Sequence, residues 1–83
     1  MTESYNGWKN RQTWNVSLWI NNEESLYRAA VEFVKNNKDK RKLYSDFIKY
    51  EGLENSRTPD NIAYISTNLD YEALNNMMRE LVD

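Results

Sequence analysis

The segment NGWKNRQTWNVSLWINN, residues 6–22, carries all three tryptophans of an 83-residue chain. That crowding constrains the fold more than any other feature. A chain this short buries only about 60–65% of its unfolded surface, and small domains often add disulfides or a metal to compensate. This one has no Cys and no His. Disulfides, thiolate or imidazole metal ligands, Cys nucleophiles and His bases are all excluded at once. What remains for stability is aromatic area. Trp, Tyr and Phe make up 13% of the chain, and each such side chain buries about 150–250 Å².

The Trp segment itself reads two ways. As a strand, Trp14, Val16, Leu18 and Ile20 alternate. As a helix, Asn10 caps a run to about Asn21, with Trp14 and Leu18 stacked at i, i+4. The helix is preferred because no second strand is evident to pair with it, and a lone strand is not stable. Trp14 and Trp19 then stand about 140° apart around the axis. Either the helix is central or one indole faces a partner.

The rest of the chain is helical in pattern. Asn22 is the expected cap of the next helix, Glu23 and Glu24 suit its N-terminus, and the run to Asn37 carries Leu26, Ala30, Phe33 and Val34, with Tyr27, on one face. Asp39 is the expected cap of a third helix with Leu43, Tyr44, Phe47 and Ile48 as its apolar stripe, stopped at Gly52. Thr58-Pro59 reads as a cap followed by a first-turn proline, opening a short helical turn that includes Ile62, Ile65 and Leu69. Asp70 caps a last helix whose face is Ala73, Leu74, Met77, Met78, Leu81 and Val82. The expected fold is all-α: one small compact bundle of about four helices plus one short helical turn, residues 1–83, with an irregular arm over about 1–9. The expected core is Trp14, Leu18, Trp19, Leu26, Ala30, Phe33, Leu43, Phe47, Leu74, Met77, Met78 and Leu81.

The net charge of −2 conceals an asymmetry: residues 35–50 sum to +4 and residues 51–83 to −5. The whole is too weakly basic for a general DNA binder. The basic stretch, with Lys38, Lys40, Arg41, Lys42 and the nearby Tyr44, is a candidate surface for phosphates and bases, and equally a solvated, solubilising one. Carboxylates such as Glu23/Glu24, Glu51/Glu54 and Asp60 with Asp70 read as dipole partners, caps or surface groups. No phosphate-binding glycine loop and no calcium loop is present. The expectation is no enzyme, no cofactor and no metal. No apolar run approaches the roughly 20 residues of a membrane span, and residues 1–20 lack the apolar stretch of a signal peptide, so a cytoplasmic location is expected. Trp8, outside the predicted helix between Gly7 and Lys9, is either a lid packed on helix 1 or a binding edge that Arg11 would extend.

Residues 6–22 also resemble a family of small uncharacterised proteins of bacteria, cyanobacteria among them, and of their phages, with an N-terminal signature N-G-W-x-N-x-x-T-W-N-V-x-L-W-I-x-N. Here it stands as Asn6-Gly7-Trp8, Asn10, Thr13-Trp14-Asn15-Val16, Leu18-Trp19-Ile20 and Asn22. The stretch TPDNIAYISTNLDYEALNNMMREL is similar to the family's other end, whereas residues 35–57 match no pattern of it. The resemblance implies a bacterial-host setting and, by analogy with other small phage proteins, a protein that binds a bacterial complex, a defence nuclease being one concrete target. Two alternatives stand beside it: a nucleic-acid-binding accessory using residues 35–50, and a self-associating module.

Overall fold

Asn10 sets where the first helix begins. Its backbone is extended and its side-chain oxygen accepts from the Thr13 N–H at 2.8 Å, satisfying one of the donors that a helix start leaves orphaned. The structure is a computed structural model that describes residues 7–82, so Asn6 and most of the expected arm lie outside the described residues. Helix α1 spans Arg11–Asn22, α2 Glu24–Asn36, α3 Leu43–Tyr50 and α4 Tyr71–Glu80. The fold is all-α; an isolated antiparallel bridge joins Arg57 and Ala63. Residues 12–20 are helix, as preferred over the strand alternative.

A single residue, Glu23, separates α1 from α2. It is also the α2 cap, accepting from the Leu26 N–H and the Ser25 hydroxyl. The expected cap, Asn22, instead ends α1. At the far end of α2, Asn36 and Asn37 turn their amides back onto the Glu32 and Phe33 carbonyls.

Two expectations fail in the connections. Helix α3 starts at Leu43, not after Asp39, and its N-cap Lys42 makes no side-chain capping bond. Residues 38–42 are charged throughout and offer no apolar side chain to bury. A helical turn there would lose backbone entropy with no packing gain, so the helix begins at the first residue that enters the core. Thr58-Pro59 does not open a helical turn either. The Thr58 N–H donates to the Ile62 carbonyl at 2.8 Å, and the Asn61 N–H donates to the Thr58 carbonyl at 2.7 Å. This closes a tight hairpin-like turn, with Asn61 in the left-handed region at φ 69°. Pro59 at the second turn position and a left-handed residue after it fit a turn that ends in a bulge. By contrast Gly52 stops α3 as expected: at φ 72° it lets the Leu53 N–H reach back to the Ile48 carbonyl at 2.9 Å, a Schellman closure.

The core draws on every helix and on the 53–70 connection. Val16, Ile20, Ala30, Phe33, Val34, Leu43, Tyr44, Phe47, Ile48, Tyr64, Leu69, Leu74 and Met78 form one buried cluster. Phe33 and Phe47 meet in a tilted pair with centroids 5.7 Å apart. Ala30, Phe33, Leu43, Phe47, Leu74 and Met78 take their expected places, with Leu26, Met77 and Leu81 half-buried against them. Trp14, Leu18 and Trp19 do not: each is half-buried and stands outside the cluster. The inward stripe of α1 is Thr13, Val16, Ser17 and Ile20, small or β-branched residues over which neighbouring elements can approach. Trp14 and Trp19 lie about 110° to either side of that stripe. The indoles therefore flank the helix rather than fill the interior.

Candidate functional site

Asn15 is 1% exposed although it points away from the inward stripe of α1. The turn at residues 58–61 folds over it. Its Oδ1 accepts from the Thr58 hydroxyl at 2.7 Å, and its Nδ2 donates to Asp60 Oδ2 at 2.8 Å. The Trp19 indole N–H donates to the same carboxylate oxygen at 3.0 Å. The Thr58 oxygen also accepts from the Ile62 N–H at 3.2 Å. Together these bonds clamp an exposed turn onto the first helix. The donations from Asn15 and then from Trp19, with the positive charge of Arg11 adding to them, hold the Asp60 carboxyl below the usual carboxylate range.

A second clamp lies one turn earlier on α1. The Thr13 hydroxyl donates to Asn10 Oδ1 at 2.7 Å and accepts from the Asp70 N–H at 3.0 Å; Asn10 Nδ2 donates to the Asn68 carbonyl at 2.7 Å. Asp70 then caps α4 through the Ala73 N–H. So Asn10, Thr13, Asn15 and Trp19 each reach into residues 58–70. The turn chemistry of Thr58-Pro59-Asp60 and the polar residues of the Trp segment act on one another. What the clamps leave on the outer side of α1 is Trp14, Leu18 and the exposed Arg11, beside the exposed Pro59, Asp60 and Asn61.

The other candidate residues gather elsewhere. Lys38, Lys40, Arg41 and Lys42 are exposed in the loop before α3. Lys40 lies 3.9 Å from Asp46, a loose surface pair. Arg79 of α4 reaches across to the Lys40 and Arg41 carbonyls at 3.4 and 3.5 Å, and Asn75 Oδ1 accepts from the Tyr44 N–H at 2.8 Å. These contacts tie the loop over α4 and leave a groove of about 640 Å³ between them, lined by Arg41, Lys42, Ser45, Tyr71, Glu72, Asn75, Asn76 and Arg79.

Tyr44 is not on that surface. It is fully buried, and its hydroxyl donates to the Tyr64 carbonyl at 2.6 Å. Burial pushes its phenol well above the usual tyrosine range, with the neighbouring Tyr71 and Tyr64 adding to the shift. An apolar stripe with a polar tip satisfied by a loop carbonyl is a core role. Trp8 is half-buried against the core, and the groove it lines is walled by Ala73, Asn76, Met77 and Glu80 of α4 rather than by α1. Among the described residues no three His, Cys, Asp or Glu side chains come together as a metal site, and no helix is long and apolar enough to cross a membrane.

Sequence reasoning missed Asp60 as the partner of Asn15 and Trp19, and Arg79, Asn75 and Asn76 as the far wall of the basic loop. The pairing with Asp60 had one sequence signal: both segments belong to the stretches that carry the resemblance. Arg79 had none, because periodicity on α4 does not report which loop crosses it. No curated protein and no solved structure matches the chain. A family model does match, over residues 1–83 and so including the 35–57 stretch that the resemblance did not reach: the chain belongs to DUF7249, a family of unknown function.

Proposed function

We propose that the protein is a non-enzymatic binding module that presents the outer face of α1, with the turn at 58–61, to a protein partner. The observation that carries this reading is the pair of half-buried indoles that flank a helix whose polar residues are committed to fixing an exposed turn. A surface held rigid before binding loses less entropy on association. Trp and Arg are also the residues that most often dominate binding energy, and Trp14, Trp19 and Arg11 all sit here. The resemblance to phage and bacterial proteins supports a bacterial complex as the partner. Its concrete form is a block, steric and charge-complementary, of a defence nuclease.

Tagged protein captured from bacterial lysate tests the reading. A partner retained after nuclease treatment, and lost with Leu18→Asp while that variant keeps its circular dichroism spectrum, is the expected result. Capture indifferent to Leu18→Asp, or a protein that only pairs with itself in sedimentation, sinks it.

A further inference from the structure

The groove between the 38–42 loop and α4 presents donors almost throughout. Arg41 and Lys42 form one wall and Arg79 the other; both Nη groups of Arg79 already donate, to Asn76 Oδ1 and to the Lys40 and Arg41 carbonyls, so it brings the groove its charge first. The two amides on the lining have their oxygens engaged internally: Asn75 Oδ1 by the Tyr44 N–H, and Asn76 Oδ1 by Arg79 Nη1 at 3.2 Å. Each keeps its NH₂ as a donor, beside one remaining lone pair on the oxygen. Tyr71 has spent its hydroxyl on the Ser66 backbone, donating to the carbonyl at 2.8 Å and accepting from the N–H at 2.9 Å, so what it offers the groove is the part of its half-buried ring that does not pack on Tyr44 and the core. Glu72 is the one carboxylate on the lining, which sums to a formal charge of +2. Three cations and two NH₂ groups facing one space select a multiply charged oxyanion. A ring at its edge suits a flat group attached to that anion.

We propose that this groove binds the phosphodiester backbone of single-stranded nucleic acid, with phosphates on Arg41, Lys42 and Arg79 and a base against Tyr71. The volume is within the order of 300–1,000 Å³ of sites that hold ligand-sized groups, enough for a short run of strand. The chain as a whole carries −2 and gives no broad field to attract a duplex. The site is separate from the α1 surface: Leu18, on which the protein-binding test turns, is not among its lining residues, so either proposal can fail alone.

The test is fluorescence anisotropy of a labelled short oligothymidylate with the full-length protein across a salt series. Binding should weaken with salt at a log–log slope of about −2, as expected for roughly three single-strand phosphate contacts. The double variant Arg41→Glu/Lys42→Glu changes only exposed side chains and leaves intact the backbone carbonyls that Arg79 holds. It should keep its melting temperature, lose about tenfold or more in affinity and flatten the slope by about 1.4. The control Lys35→Glu/Lys49→Glu makes the same charge change at exposed positions in the last turns of α2 and α3, outside the groove, and should retain most of the affinity. Equal loss in the control, unchanged binding in the groove variant, or no binding at low salt overturns the proposal. So does competition by adenosine monophosphate, inorganic phosphate or duplex DNA as effective as that by the oligonucleotide.

Discussion

Tyr44 and Asn15 are two polar side chains with almost no exposure, and each is satisfied by the 53–70 connection rather than by its own helix. Tyr44→Phe keeps the ring and removes the donor to the Tyr64 carbonyl, leaving that buried oxygen unpaired. It should cost about 1–3 kcal/mol in urea unfolding. The raised phenol also has an alkaline consequence. Because the folded pKa lies above the unfolded one, the unfolded chain releases this proton first. The stabilisation is complete below about pH 10 and should fall by about 1.4 kcal/mol per pH unit above it. Tyr44→Phe should remove this residue's share and leave that of Tyr64, whose phenol burial also raises, and a variant as alkali-sensitive as the parent would contradict the burial of Tyr44. Asp60 works in the opposite sense. Its carboxyl is held low, so its contribution is present above the ordinary carboxylate range and is lost as pH falls through the depressed value. Asp60→Asn should flatten the acid limb of a pH-dependent melting curve. Asn15→Ala, which leaves the buried Thr58 hydroxyl without its acceptor and takes from Asp60 one of its two donors, should cost about 1–3 kcal/mol at neutral pH. Equal stability of Asn15→Ala and the parent would show that the turn is not held by this amide.

Among the elements, the helices were readable from spacing and caps, while the long connection was not. Asn10 and Asp70 announce their helices because a cap is a local interaction, three residues deep. Thr58 carries the same local signal, a hydroxyl before proline. Its hydroxyl is taken by Asn15, 43 positions away, and no local rule reports that. The indoles were misplaced for a related reason. Helical periodicity finds an apolar face but does not distinguish a stripe of large residues from one of small residues with large flanks, which is what α1 has. The candidate surfaces were therefore legible only in part: Arg11 and the basic loop were picked out for binding, Trp14 and Trp19 were expected in the core instead, and Asp60 and Arg79, which give each surface its geometry, were not picked out. The turn permits a direct check. Asn61 sits at φ 69°, a region that costs most residues about 1–2 kcal/mol, with Asn and Gly the usual exceptions. Asn61→Gly should leave the melting temperature near that of the parent, whereas Asn61→Val should lower stability by at least about 1 kcal/mol. Similar stability of the two variants would mean that the turn does not need its left-handed residue.

For the whole molecule, the question is whether the clamped N-terminal helix and the basic corner belong to one cooperative unit. The radius of gyration is 12.0 Å, close to the roughly 12 Å expected of a compact chain of this length. The buried cluster takes residues from α1, α2, α3, the 53–70 connection and α4 without a break. α1 packs on α2 and α3 on α4, but the clamps also fasten α1 to residues 41 to 58 positions further on, so neither half of the chain is closed on its own. A short chain buries too little surface for either half to persist alone. Trp14 and Trp19 lie on α1 and Trp8 lies against α4, so tryptophan fluorescence reports α1 and its neighbourhood, while far-UV circular dichroism reports all four helices. The two signals should therefore trace the same urea transition, with one midpoint and one slope. The oriented indole of Trp19 makes fluorescence sensitive to the Asp60 clamp in particular, so Asn15→Ala should move both curves together to lower urea. If fluorescence moved alone, the turn and α1 would be opening as a local unit. The α1 surface would then be mobile rather than fixed, which removes the preorganisation on which the protein-binding proposal rests.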